Sequence, residues 1–168
     1  KKEIISSDEL FKLKKWRDKF TNKSTSMYEF ASSENMFFPI DVLIPFAHWV
    51  TPEKLPKRFD TRFYIAAAPA GHEGIHDGKE LVDSIWINPQ QAVDDCLSKK
   101  RTILFPTRLN LEKLKQSKTV AEAINNAKNS NIFTVTPLVE TFDEGTFLTI
   151  PKEAGYGEIK ESISHELE

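Results

Sequence analysis

The sequence predicts a mixed fold of the α/β (α+β) class, and three observations carry that expectation. Apolar residues recur at spacing three or four, as in Leu10, Leu13, Trp16 and Phe20, which is one helical face. Residues 59–68 alternate strictly, which is the period of a strand. The two patterns interleave along the chain instead of segregating. Apolar residues are 39% and charged residues 29% of the 168, enough for a packed core and against global disorder.

The elements follow in order. Ser6 with Glu9 has the capping-box spacing, and Ile5 can staple the first helix. Ser26 with Glu29 starts a second, short helix, and Pro39 ends whatever precedes it. From 37 to 87 the pattern is one of strands. Phe59, Thr61, Phe63 and Ile65 point one way; Arg58, Asp60, Arg62 and Tyr64 point the other. Residues 81–87 read as a second strand, and the Gly- and His-rich stretch 69–79 as the hairpin loop between them. Asn88 caps a helix with Pro89 at its first position, and Ala92, Val93, Cys96 and Leu97 form its apolar face. Residues 103–105 read as a short strand. Thr107 and Thr119 are cap candidates for two more helices, Glu122 completing a capping box with Thr119. Residues 132–139 and 147–150 read as extended, and Trp49 and Trp86 as core.

Charge separates the ends. Residues 1–23 carry eight Lys/Arg against four Asp/Glu, whereas 140–168 carry two against eight. The expected organisation is an N-terminal helical segment at 1–36, a main domain at 37–156 and an acidic tail at 157–168. Lys+Arg is 23 against Asp+Glu 25, so the basic excess that marks most nucleic-acid binders is missing. No apolar run approaches the ~18–20 residues of a membrane helix. Cys96 is the single cysteine, which excludes a disulfide scaffold and fits a reducing, cytoplasmic setting. Lys1, Lys2 and Glu3 do not open a signal peptide and no initiator Met is present. The expectation is a chain that starts inside a longer coding sequence, or after processing or tag removal.

Three clusters carry candidate chemistry. His72-Glu73-Gly74-Ile75-His76 matches H-E-x-x-H, whose zinc chemistry needs both His on one helix face. Gly71, Gly74 and Gly78 argue against a helix there, each Gly costing ~1 kcal/mol relative to Ala; loop histidines are the expectation, a zinc-binding loop the minor alternative. Arg58, Asp60 and Arg62 fall on one strand face ~6.5–7 Å apart. Asp60 between them can orient both guanidinium forks toward a phosphate or pyrophosphate; the alternative is a structural ion-pair ladder. Glu80 and Asp83 stand at a loop–strand junction, where a carboxylate either ligates a hard cation or is solvated.

Taken together, Phe46-Ala47-His48-Trp49-Val50-Thr51-Pro52 and Arg58-Phe59-Asp60-Thr61-Arg62-Phe63-Tyr64 resemble the Nudix hydrolase superfamily, in its nudix-motif-19 (acyl-coenzyme A diphosphatase-like) branch. The order continues with Glu80, Asp83, Trp86-Ile87, Pro89, Ala92 and Phe105-Pro106-Thr107, so that the match spans roughly 37–156. The resemblance implies part of a Nudix-type α/β/α sandwich with a mixed sheet. It also implies a parent activity that uses Mg2+ or Mn2+ to hydrolyse a pyrophosphate bond in a nucleoside-diphosphate-linked substrate such as coenzyme A or acyl-coenzyme A. The glutamate-rich Nudix box is missing: Asp8-Glu9, Asp94-Asp95 and Asp143-Glu144 have neither its Arg-Glu nor its glycine in register. In this branch the box lies upstream of the matching segment. The chain is thus expected to be the part after the box, inactive alone, with no identifiable catalytic residue. Glu80 is carried over as a metal-supporting acid, and Arg58 and Arg62 as part of the branch motif; that these two, with Asp60, form a substrate-binding face is the expectation from their strand spacing. A nucleotide- or anion-binding or assembly module without turnover is the alternative. A homodimer, or a complex with the missing Nudix-box segment, is the expected assembly; neither nucleic acid nor membrane is an expected partner.

Overall fold

A computed structural model describes residues 6–53, 55–71, 74, 76, 78 and 81–163. Among them are five α-helices and two three-stranded sheets, one mixed and one antiparallel, an α+β architecture. The chain divides into two compact units, Lys1–Ile40 with Gly74–Ser84 and Asp41–Glu73 with Ile85–Glu168.

The first unit contains α1 (Ser7–Thr21) and α2 (Met27–Ser33). Both expected capping boxes form. The Ser6 hydroxyl accepts from the Glu9 N–H at 3.3 Å while the Glu9 carboxylate accepts from the Ser6 N–H at 2.8 Å. Ser26 and Glu29 repeat the pattern at 3.1 and 2.9 Å. The cap N–H bonds to each glutamate hold its carboxyl below the ordinary range. Trp16 is buried, donates Nε1–H to Glu34 at 2.5 Å and meets the Phe30 ring edge-on at 5.4 Å. Ile5 and the Leu10 side chain lie outside the described residues.

The second unit is built on β1 (Ile44–Val50) and β2 (Asp60–Ile65), an antiparallel pair, with β3 (Thr134–Val135) parallel to β1 on its other side. Helices α3 (Pro89–Leu97), α4 (Phe105–Leu114) and α5 (Val120–Lys128) intervene. The second sheet is an antiparallel meander of β4 (Leu138–Phe142), β5 (Gly145–Thr149) and β6 (Lys160–Ser162). β6 and the buried Ile163 fall within the segment expected as an acidic tail.

Several expectations are corrected. Residues 81–87 form no strand, and β2 pairs with β1, which lies before it, so the expected hairpin of β2 with 81–87 does not form. Without that strand Trp86 is 70% exposed, while Trp49, on the central strand, is 3% exposed. Residues 103–105 lead into α4, whose first turn takes Pro106; Thr107 lies inside the helix and Leu104 caps it without a side-chain bond. Leu97 is exposed, although Ala92 and Val93 are buried as expected. Thr119 caps α5 at 3.1 Å, but Glu122 bonds the Lys118 N–H, one residue short of a capping box.

The core of this unit draws Phe46, Ala47 and Trp49 from β1, Leu109 from α4, Ala127 from α5 and Val135 from β3, with Ile150 and Ala154. Phe63 and Ile65 pack partly against it, so the apolar side of β2 is covered within its own unit. Phe59 does not share that burial. It precedes the first residue of β2, is 56% exposed and lies under Lys57 Nζ at 5.1 Å.

Asp95 shows how a buried charge is tolerated. Its carboxylate accepts from Gln91 Nε2 at 2.8 Å, Arg101 Nε at 3.1 Å and Lys100 Nζ at 3.3 Å. These bonds, Gln91's first, outweigh the opposing desolvation and lower its pKa. The stabilisation is therefore present above the unfolded-state value of ~3.9 and is lost as pH falls through the lower folded value. Thermal unfolding followed across acid pH should show wild type losing more stability below about pH 4 than Asp95→Asn does, the variant being the less stable at neutral pH.

Candidate functional site

Strand register sorts the β1–β2–β3 sheet into two faces. Ala47 lies opposite Phe63, Trp49 opposite Thr61 on one side and Val135 on the other, which makes the core face. The alternate residues make a polar face: Asp60, Arg62 and Tyr64 on β2, His48 on β1 and Thr134 on β3. His48 is directly opposite Arg62 and level with Thr134.

His48 ties the three strands together. Its Nε2 is 2.5 Å from Asp60 Oδ1 and its Nδ1 is 2.8 Å from Thr134 Oγ1. An ionised carboxylate only accepts, so Nε2 carries a proton and Nδ1 faces the Thr134 hydroxyl. The His48 side chain is 14% exposed, against 62% for Asp60.

The expected arrangement of Asp60 between two arginines is not what forms. Arg58 precedes β2, and its Nε donates to the Thr51 carbonyl at 3.1 Å, at the β1–β2 connection where the Thr51 N–H donates to the Phe59 carbonyl and the Phe59 N–H donates to the Thr51 hydroxyl. Asp60 bonds His48. Arg62 is exposed and, among the described residues, makes no ion pair. Of the three residues read from the sequence, Asp60 and Arg62 share the polar face and Arg58 serves the turn. His48 and Thr134 were missed. The available signal was His48 itself, the one ionisable residue in an otherwise apolar strand.

Glu80, His72 and Glu73 lie outside the described residues. His76 Nδ1 is 3.2 Å from Ser84 Oγ, and Asp83 Oδ1 accepts from the Ser84 N–H at 2.8 Å. Among the described residues no three His, Cys, Asp or Glu side chains converge on one point. Asp60, the acid beside Arg62, is held by His48. Among the described residues, this set does not fit a divalent cation.

The same unit contains a cleft of about 370 Å3 at α4 and α5, lined by Phe46, Lys113, Leu114, Asn126 and Asn129 among others. Lys113 Nζ rests 5.4 Å from the Phe46 ring and 5.5 Å from the Tyr156 ring, and burial lowers its pKa.

The chain is similar to the acyl-coenzyme A diphosphatase NUDT19 of Xenopus laevis, 24% identical over 161 residues, a match that covers 92% of this chain. It spans 42% of that protein's length. The likeness is distant, and its direction agrees with the Nudix resemblance. No family model matches the chain, and no solved structure matches it.

Proposed function

We propose that this chain supplies the anion-binding part of a Nudix-type hydrolase whose substrate is a nucleoside-diphosphate-linked molecule, coenzyme A or an acyl-coenzyme A, and that it does not turn that substrate over alone. The observation that carries this reading is Arg62. It stands exposed on the polar sheet face without an ion pair among the described residues, in a chain similar to an acyl-coenzyme A diphosphatase. A guanidinium offers a phosphate oxygen pair a bidentate fork. Water attack on phosphorus, and the Mg2+ or Mn2+ of the parent reaction, are assigned to groups of a Nudix-box segment that acts with this chain in cis or in trans. Self-association as a homodimer is the other assembly in keeping with the reading. A module that binds the nucleotide without any catalytic counterpart shares the Arg62 face, and the missing box glutamates favour it as the second reading.

Titration calorimetry with coenzyme A and with inorganic pyrophosphate tests the proposal. Wild type binds both. Arg62→Ala weakens binding by about tenfold or more, as the loss of a charge-assisted contact of ~1.5–3 kcal/mol requires. Lys113→Met, which empties the α4–α5 cleft of its cation, leaves the affinity unchanged. Equal affinities of wild type and Arg62→Ala would reduce the face to a structural role.

A further inference from the structure

We infer that His48 is a positioning residue for anion recognition: by holding the Asp60 carboxylate it keeps Arg62 unpaired and open to a phosphate. The inference rests on the reading of Arg62 given above and adds what controls it. Asp60 and Arg62 are two apart on one strand face, ~6.5–7 Å between their backbones, within reach of an intrastrand ion pair. That pair would close the guanidinium to any ligand. It does not form, because His48, diagonal to Asp60 across the β1–β2 ladder, takes the carboxylate at 2.5 Å. Thr134 fixes the other ring nitrogen at 2.8 Å and so sets the orientation of the imidazole. Neutral or protonated, the ring presents an Nε2–H to Asp60, and the Thr134 hydroxyl can donate to Nδ1 or accept from it. Beyond these groups, Tyr64 is the other titratable side chain on the sheet's polar face. Arg58 is engaged at Thr51 and does not compete for Asp60.

Removal of His48 therefore has a specific consequence. Asp60 is released to Arg62, and anion binding falls although neither residue has changed. Removal of the carboxylate as well restores it. The test has two arms on the full chain. In the first, without ligand, the Arg62 Nε–Hε resonance is followed in wild type, His48→Ala and His48→Ala/Asp60→Asn. It shifts in the single variant and returns toward the wild-type position in the double variant. In the second, pyrophosphate is titrated by calorimetry. His48→Ala binds about tenfold more weakly, the double variant recovers wild-type affinity, and His48→Gln, whose amide can still donate to Asp60, keeps most of it. Thermal unfolding of each variant confirms that it is folded; where His48→Ala is not, His48→Asn, too short to reach Asp60, takes its place in both arms.

An Arg62 resonance indifferent to loss of His48 overturns the inference, and so does a loss of affinity that Asp60→Asn fails to relieve. Failure of wild type to bind pyrophosphate, with the resonance behaving as expected, strikes the anion-binding reading and leaves the His48–Asp60–Arg62 coupling standing.

Discussion

The purified 168-residue chain, given coenzyme A and either Mg2+ or Mn2+, should release product at the uncatalysed rate. Two observations lead there. The sequence contains no glutamate cluster with the Nudix-box pattern, and among the described residues no cluster of acids or histidines offers a cation site. Enzymes of ordinary power lower the barrier by ~8–23 kcal/mol. An arginine that binds ground state and transition state alike contributes to affinity and not to turnover. Adding a Nudix-box segment, fused in frame or supplied in trans, should create metal-dependent phosphate release, and Arg62→Ala should then raise KM. Turnover by the chain alone that survives stringent purification and disappears in Glu80→Gln would show that the chemistry resides in this segment after all.

The largest stability effect is expected at Trp49. It lies on the central strand, edge-on to Phe105 at 5.8 Å and against Tyr156 at 5.3 Å. Its Nε1–H is shared between Asn110 Oδ1 and the Tyr156 hydroxyl, both at 3.3 Å, and Tyr156 itself donates to Asn110 at 2.6 Å. Burial raises the Tyr156 pKa, which keeps that hydroxyl a donor. Trp49→Ala removes the ring and leaves a cavity, a change that typically costs ~3–5 kcal/mol. Against a usual total of ~5–15 kcal/mol, that is a large part of the stability of the domain. Trp49→Phe keeps most of the packing and loses only long, shared hydrogen bonds, worth ~1 kcal/mol. Denaturant unfolding should separate the two by a few kcal/mol; equal losses would mean that the polar contacts, not the packing, hold the site.

What the sequence reveals here depends on the range of the interaction that fixes each feature. The caps of α1, α2, α3 and α5 were legible because a cap is settled within four residues, as Ser26 and Glu29 show. The alternation of β2 was legible from Asp60 to Ile65 for the same reason. Strand pairing was not. Ile44–Val50 and residues 81–87 are both rich in branched and aromatic side chains, and local preference cannot choose between them. β1 wins as the strand that also packs on Leu109, Ala127 and Val135, residues 60 to 89 positions away in the chain from its central Phe46–Trp49 stretch. The candidate site divides in the same way. Arg62 and Asp60 could be read from their spacing. That Asp60 answers to His48 and not to an arginine follows from cross-strand register, which no local pattern encodes.

Arg62, and not Arg58, is proposed to meet the anion. Side-chain Nε–Hε resonances of both arginines, followed by NMR through a titration with inorganic pyrophosphate, test it most directly. A saturable shift of the Arg62 signal is expected while Arg58, bound to the Thr51 carbonyl, stays in place. A shift of Arg58 with Arg62 unmoved, or movement of neither at saturating pyrophosphate, would contradict it.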